Sequence, residues 1–186
     1  MILRGLWLLA RGDKAGIKDF DNSENGFTAS LAPLIAFPLV GAALSILAGA
    51  WQLAIIGFLS RLCAVLVLPL ITHEFARRLG RESLWLRTAT ALDWSFWMLV
   101  PLLLLAAFAG AVMVEAGLPM QDGEYAALAI IGLYLLWYHW TIVRAGLGLS
   151  ALQAVLLVAL SSFAISLFTT GPLLIDYIFY GRLPVV

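Results

Sequence analysis

Residues 51–72, WQLAIIGFLSRLCAVLVLPLIT, form an apolar run interrupted by one charge, Arg61, almost at its centre. A helix needs about 20 predominantly apolar residues to cross a bilayer, and this run has that length. It reads as a membrane-spanning helix, and the basic connector that follows it, His73–Arg87, fixes which side of the membrane is which. Composition agrees. Of 186 residues, 63% are hydrophobic and 12% charged, against roughly 25% charged in a typical soluble domain. Such a chain cannot cover itself with polar surface, so lipid is its expected solvent and an all-α, polytopic fold its expected class. The length leaves room for five spans and short connectors. The single cysteine, Cys63, lies within a span, so neither an intrachain disulfide nor a paired-thiol metal site can form.

The first 26 residues read as a unit of their own. In MILRGLWLLARGDK, the apolar patch Leu6–Ala10 is too short for a signal-peptide core and no small-residue cleavage site precedes Arg11. The expectation is an uncleaved interfacial helix. Ile2, Leu6 and Leu9, with Leu3 and Trp7, fall on one face, while Arg4 and Arg11 lie toward the other. The alternative is an amphipathic helix packed on the protein itself. A polar loop follows, GDKAGIKDFDNSENG, with a short turn around Ile17–Phe20.

Residues 27–170 hold the five expected spans. The first covers about 28–49, capped by Thr28 or Ser30, with Pro33 in its first turns and Pro38 inside, where a kink is expected. A single helix from Leu31 to Thr72 would be about 63 Å long, twice the hydrocarbon thickness, so the chain must turn at Gly49–Gln52. The second span, about 52–72, continues beyond the membrane until Gly80. The third covers about 89–114, with Asp93 in its first turns and a kink expected at Pro101. The acidic turn EAGLPMQDGE separates it from the fourth span, 125–143, and the connector Arg144–Ser150 leads to the fifth, 151–170. The tail, 171–186, is broken by Pro172, Asp176 and Gly181, and is expected to lie in the interface.

Orientation follows from the basic residues, which accumulate in short cytoplasmic loops. Arg4, Arg11, Lys14 and Lys18 precede the first span. Arg77, Arg78, Arg81 and Arg87 lie between the second and third, and Arg144 between the fourth and fifth. The loops Gly49–Gln52 and Glu115–Glu124 contain no Lys or Arg. The N-terminus is therefore expected in the cytoplasm and the C-terminus outside. Trp85, Trp94, Trp97, Trp137 and Trp140 gather near one boundary and Trp51 and Tyr125 near the other, as an aromatic belt requires.

Few residues bear chemistry. A charge near the bilayer centre costs about 2.5–3.5 kcal/mol on insertion scales, so Arg61 needs a reason. It can line a polar cavity, hold an anionic headgroup or ligand, pair within the bundle, bond carbonyls freed beside Pro38 or Pro101, or reach toward water. Asp93 and His139 each lie about one turn inside the membrane from the basic end, at a depth that permits a carboxylate–imidazole contact. Arg144 lies one turn further along. Such a cluster can relay protons or hold a quinone or lipid headgroup, or it can anchor helix ends. Arg4, Arg11, Arg77, Arg78 and Arg81 make a basic surface suited to anionic lipids. The serines have no His or Asp at motif spacing, and no catalytic, cofactor or metal residue is expected.

Three stretches, RGLWLLARGDKAGIKDFD, RTATALDWSFWMLVPLLLL and LYLLWYHWTIVRAGLGLSALQA, resemble small alphaproteobacterial membrane proteins similar to the Yip (Ypt-interacting protein) domain superfamily. The resemblance implies five spans, a cytoplasmic N-terminus and a place in the bacterial cytoplasmic (inner) membrane. The leading functional expectation is non-catalytic: a scaffold, assembly factor or accessory subunit of a larger membrane complex. Small residues on spans one and three (Ala106, Ala107, Gly110, Ala111) suit helix docking. Its expected partners are membrane lipids and other membrane subunits or a second copy, with no nucleic acid. Binding or transport of a small molecule, quinone or lipid at Arg61 or Asp93/His139 is the alternative. An intramembrane lipid enzyme is a third possibility, for which the sequence offers no acid–base pair.

Overall fold

The computed structural model describes residues 2–117 and 119–180, and it is all-helical among them. Seven helices follow one another: α1 (Ile2–Ala10), α2 (Glu24–Leu47), α3 (Trp51–Arg78), α4 (Trp85–Ser95), α5 (Leu99–Glu115), α6 (Met120–Leu147) and α7 (Ala151–Tyr180). Five stretches are long and apolar enough to cross a membrane: Glu24–Leu47, Trp51–Arg78, Glu82–Glu115, Met120–Leu147 and Ala151–Pro172. These are the five expected spans, the signature of a multi-pass membrane protein. Arg182 and the rest of 181–186 lie outside the described residues.

The turns fall where the chain can take them. Gly49 (φ 87°), Gly80 (φ 66°) and Gly148 (φ 64°) end α2, α3 and α6 in the left-handed region that side chains disfavour. Other boundaries differ from the expected ones. The cap of α2 is Ser23, whose Oγ accepts from Gly26 N at 3.1 Å, not Thr28 or Ser30. Those two hydroxyls donate back into their own helix, to the carbonyls of Glu24 and Phe27, as Ser and Thr do when a helix is already formed around them. The third span breaks three residues before Pro101, into α4 and α5 joined by a 3₁₀ turn over Phe96–Met98. Proline cannot donate to the carbonyl four residues back, here that of Trp97, and the tighter turn absorbs the loss. Pro172 does not stop α7, which runs on through it to Tyr180. Neighbouring helices re-satisfy the backbone in such spans, so a proline there need not end a helix.

Packing is uneven along the bundle axis. At the basic end, α4 lies at the centre against α2, α3 and α6, and buries Thr88, Ala89, Thr90, Ala91, Leu92, Asp93 and Ser95. The core there joins Leu68, Leu92, Tyr138, Ile142, Leu147 and Leu157 from four helices. Toward the far end the helices part. There α5 packs on α6, makes no comparable contact with another span, and buries none of its residues. The helices α2, α3 and α7 form the other group.

The N-terminal segment is part of the core. Leu6 and Leu9 of α1, with Ile17 and Phe20 beyond it, join the buried cluster. The hydroxyls of Tyr134 and Tyr138 on α6 donate to the carbonyls of Ala10 (2.7 Å) and Leu6 (3.2 Å). Asn22 then ties the segment to α4: its Nδ2 donates to Ser83 O and its Oδ1 accepts from Arg87 N, both at 3.0 Å. The face expected to be single is divided. Leu6 is 2% exposed, whereas Leu3 is 82% and Trp7 60% exposed.

Candidate functional site

The buried polar groups described lie on the inner faces of α2, α3, α4, α6 and α7 at the packed end. Asp93 is fully buried on α4. Its Oδ2 accepts from Ser30 Oγ of α2 at 2.9 Å, while Oδ1 has no hydrogen-bond partner among the described residues. A carboxyl in such a place is costly, since a buried polar atom without a partner forfeits its hydration. The Ser30 hydroxyl also donates to Phe27 O at 2.7 Å, so its one hydrogen is shared between two acceptors.

His139 on α6 meets a different side of α4. Its Nε2 lies 3.2 Å from Ser95 Oγ, and the rings of Phe96 and Tyr138 flank it. The Ser95 hydroxyl donates to Leu92 O at 2.5 Å. Its single hydrogen is thus claimed by a backbone carbonyl, and the role of Nε2 in the Ser95–His139 contact follows the imidazole tautomer. Beside His139, Leu68, Leu157 and Ser161 line a cavity of about 10 Å³, the size of one water. Ser161 Oγ is buried beside it without a partner among the described residues.

The sequence placed Asp93 and His139 at one level with Arg144 one turn further along, and the bundle turns them apart. Asp93 faces Ser30 and His139 faces Ser95, with no hydrogen bond or ion pair joining the two among the described residues. Arg144 lies over the ring of Trp140, its Cζ 4.9 Å from the centroid, in a cation–π contact. The indole N–H of Trp140 donates to Ala151 O, so the pair fastens the α6–α7 connection.

Arg61 stands by itself. On α3, Ala64, Leu68, Thr72 and Ala76 are buried at spacings of four, and Ala54, ten residues before Ala64, falls on the same inward stripe. Arg61 falls on that stripe, three residues before Ala64 and seven before Leu68, yet it is exposed. The cause is the neighbour. Nearer the basic end α4 packs on α3, and where the chain becomes α5 it leaves α3 for α6, so the stripe is uncovered at Arg61. Arg61 has no polar partner among the described residues. The adjacent Ser60 donates to Phe168 O of α7 at 2.5 Å.

The arginines of the basic surface are largely engaged by the protein. Arg77 and Arg78 both bond Glu74, at 2.5 and 2.6 Å. Arg4 lies 3.7 Å from Asp19, and Arg11 lies 6.0 Å from the Trp7 ring centroid. Arg81 donates to the carbonyls of Leu147 and Gly148, capping the C-terminus of α6 where cations are favoured. Sequence reasoning missed the partners Ser30, Ser95, Asn22 and Tyr138. It also missed a capping box at Ser150 and Gln153, although the spacing S-x-x-Q announces one. No group of three or more metal-ligating side chains occurs among the described residues. Compared with protein-family models, curated proteins and solved structures, the chain matches none.

Proposed function

We propose that this chain is a non-catalytic accessory or assembly subunit of a larger membrane complex, seated in a bacterial cytoplasmic membrane with its N-terminus inside and its C-terminus outside. Arg61 carries the reading. It lies about 15 Å along α3 from Trp51, near mid-membrane, on a stripe that faces inward and is uncovered. An unpartnered guanidinium there is expensive, and intramembrane cations pair with acids or carbonyls. A second subunit that offers such a group and covers the parted far-end helices relieves both costs. The exposed Leu104, Leu105 and Phe108 of α5 provide the apolar part of that surface. The orientation rests on nine Lys and Arg gathered at one end, and the Yip-like plan of five spans fits it.

The second reading is an anionic small molecule, quinone or lipid held at Arg61 between the two groups of helices. It is favoured by the same uncovered stripe. One experiment separates them. The full chain, tagged at native expression level, is recovered from native membranes in mild detergent as wild type, Arg61→Lys and Arg61→Leu. A membrane subunit should accompany wild type and the lysine variant, and fall on the order of tenfold with leucine, a loss equivalent to one ion pair. Recovery of the wild-type chain alone, or equal recovery of the partner with leucine, contradicts the subunit reading.

A further inference from the structure

We propose that the groove between α3 and α7 at the basic end is a binding site for one phospholipid with an anionic headgroup. The inference is independent of the subunit reading, since Arg61 is at the other end of α3's buried stripe. The groove has a volume of about 320 Å³ and is lined by Ile71, Phe75, Leu79 and Leu160, with Glu74, Arg78 and Gln153 as its polar members. The two helices run antiparallel, so Arg78 and Gln153 lie together at the basic end. Ile71 and Leu160, each seven residues further in, lie about 10 Å deeper. A polar mouth above an apolar slot of that depth matches a headgroup above the start of an acyl chain.

The mouth offers donors. Glu74 is held by two arginines, through Arg77 Nη2 and Arg78 Nε, so the three side chains together carry one positive charge. The terminal nitrogens of Arg78 bond nothing among the described residues, and planar guanidinium nitrogens suit phosphate oxygens. Gln153 spends its carbonyl oxygen on Ser150 N at 3.0 Å. Its Nε2 bonds nothing among the described residues and remains a donor. Gln153 lies in the first turn of α7, where the helix dipole adds positive potential. Free guanidinium nitrogens, a free amide and a helix start all favour a phosphate, and the apolar slot beneath them requires the phosphate to carry a chain. The occupant is therefore a lipid rather than a soluble anion.

Native mass spectrometry of the full-length protein in mild detergent tests this, with phosphatidylglycerol and phosphatidylcholine of identical chains as probes. One phosphatidylglycerol per protein should be retained, about tenfold over phosphatidylcholine. Arg78→Ala and Gln153→Glu should each lower its retention at least about fivefold; the glutamate keeps the acceptor that Ser150 N needs and replaces the donor with a charge of the wrong sign. Leu160→Trp, which leaves the mouth intact and fills the slot, should do the same. Equal retention of the two lipids, indifference to all three variants, or displacement by millimolar inorganic phosphate would overturn the proposal.

Discussion

Gly146→Val should destabilise the folded protein by about 3 kcal/mol or more, the upper range for overpacking a closed contact. A Cβ built at Gly146 overlaps Thr88 Oγ1 and lies 2.7 and 2.9 Å from Thr88 Cγ2 and Cβ. Thr88 cannot swing away. It is fully buried on α4, and its hydroxyl is bonded to Leu84 O. The collision is where α4, the centre of the packed end, crosses α6, so the helices must separate to admit even one carbon. At roughly 2–4 °C per kcal/mol for a chain of this size, the melting temperature in detergent should fall by about 6–12 °C. Gly132, on the same helix, has nothing within 4 Å of its built Cβ. Gly132→Ala should be neutral or stabilise slightly through helix propensity. Equal melting of the two variants would show that the α4–α6 crossing is looser than described.

Tyr138→Ala should cost about 3–5 kcal/mol, as truncation of a large buried aromatic side chain does, and should release the N-terminal helix. Tyr138 is fully buried on α6, its ring beside those of Tyr134 and His139, and its hydroxyl reaches Leu6 O. Alanine leaves Leu6 and Leu9 facing a void, and α1, nine residues long, is too short to hold a helix by itself. Local opening therefore precedes global unfolding. Trypsin cleavage at Arg11 or Lys14 should accelerate on the order of tenfold, the effect of about 1.4 kcal/mol on the opening equilibrium. Tyr138→Phe removes only the hydroxyl and should cost about 0.5–1.5 kcal/mol. If alanine leaves trypsin cleavage unchanged, α1 is not held by this contact.

The elements that length and backbone geometry govern were legible in the sequence. Five apolar runs correspond to five stretches long enough to cross a membrane, the third of them broken into two helices, and the turns at Gly49 and Gly80 fall where a glycine can take a positive φ. What rotation governs was not. Depth along a helix follows from 1.5 Å per residue, so Asp93 and His139 could be placed at one level. Which neighbour each faces depends on how α4 turns against α2 and α6, and that is set by contacts such as Gly146 on Thr88 that no periodicity reveals. The same holds for α1. Its apolar surface is wide enough to serve two environments, and only the position of α6 decides that Leu6 and Leu9 go inward while Leu3 and Trp7 remain outside. Charge counting located the arginines but could not distinguish the helix cap at Arg81 from the open donors of Arg78, because both satisfy the same loop rule. Arg61 was legible as a misfit from its run alone. Its setting, an inward stripe left uncovered where the third span breaks and departs, needed the fold.

The proposed placement of the bundle, five spans with the basic end inside, is measured most directly by membrane-impermeant cysteine labelling. In a Cys63→Ser background, a cysteine replacing Asp122 should react only from outside intact cells, and one replacing Arg78 only after the inner face is opened. Asp122 lies at the start of α6 and Arg78 at the end of α3, on opposite ends of the bundle. Labelling of position 78 from outside, or of position 122 only from within, would contradict the account.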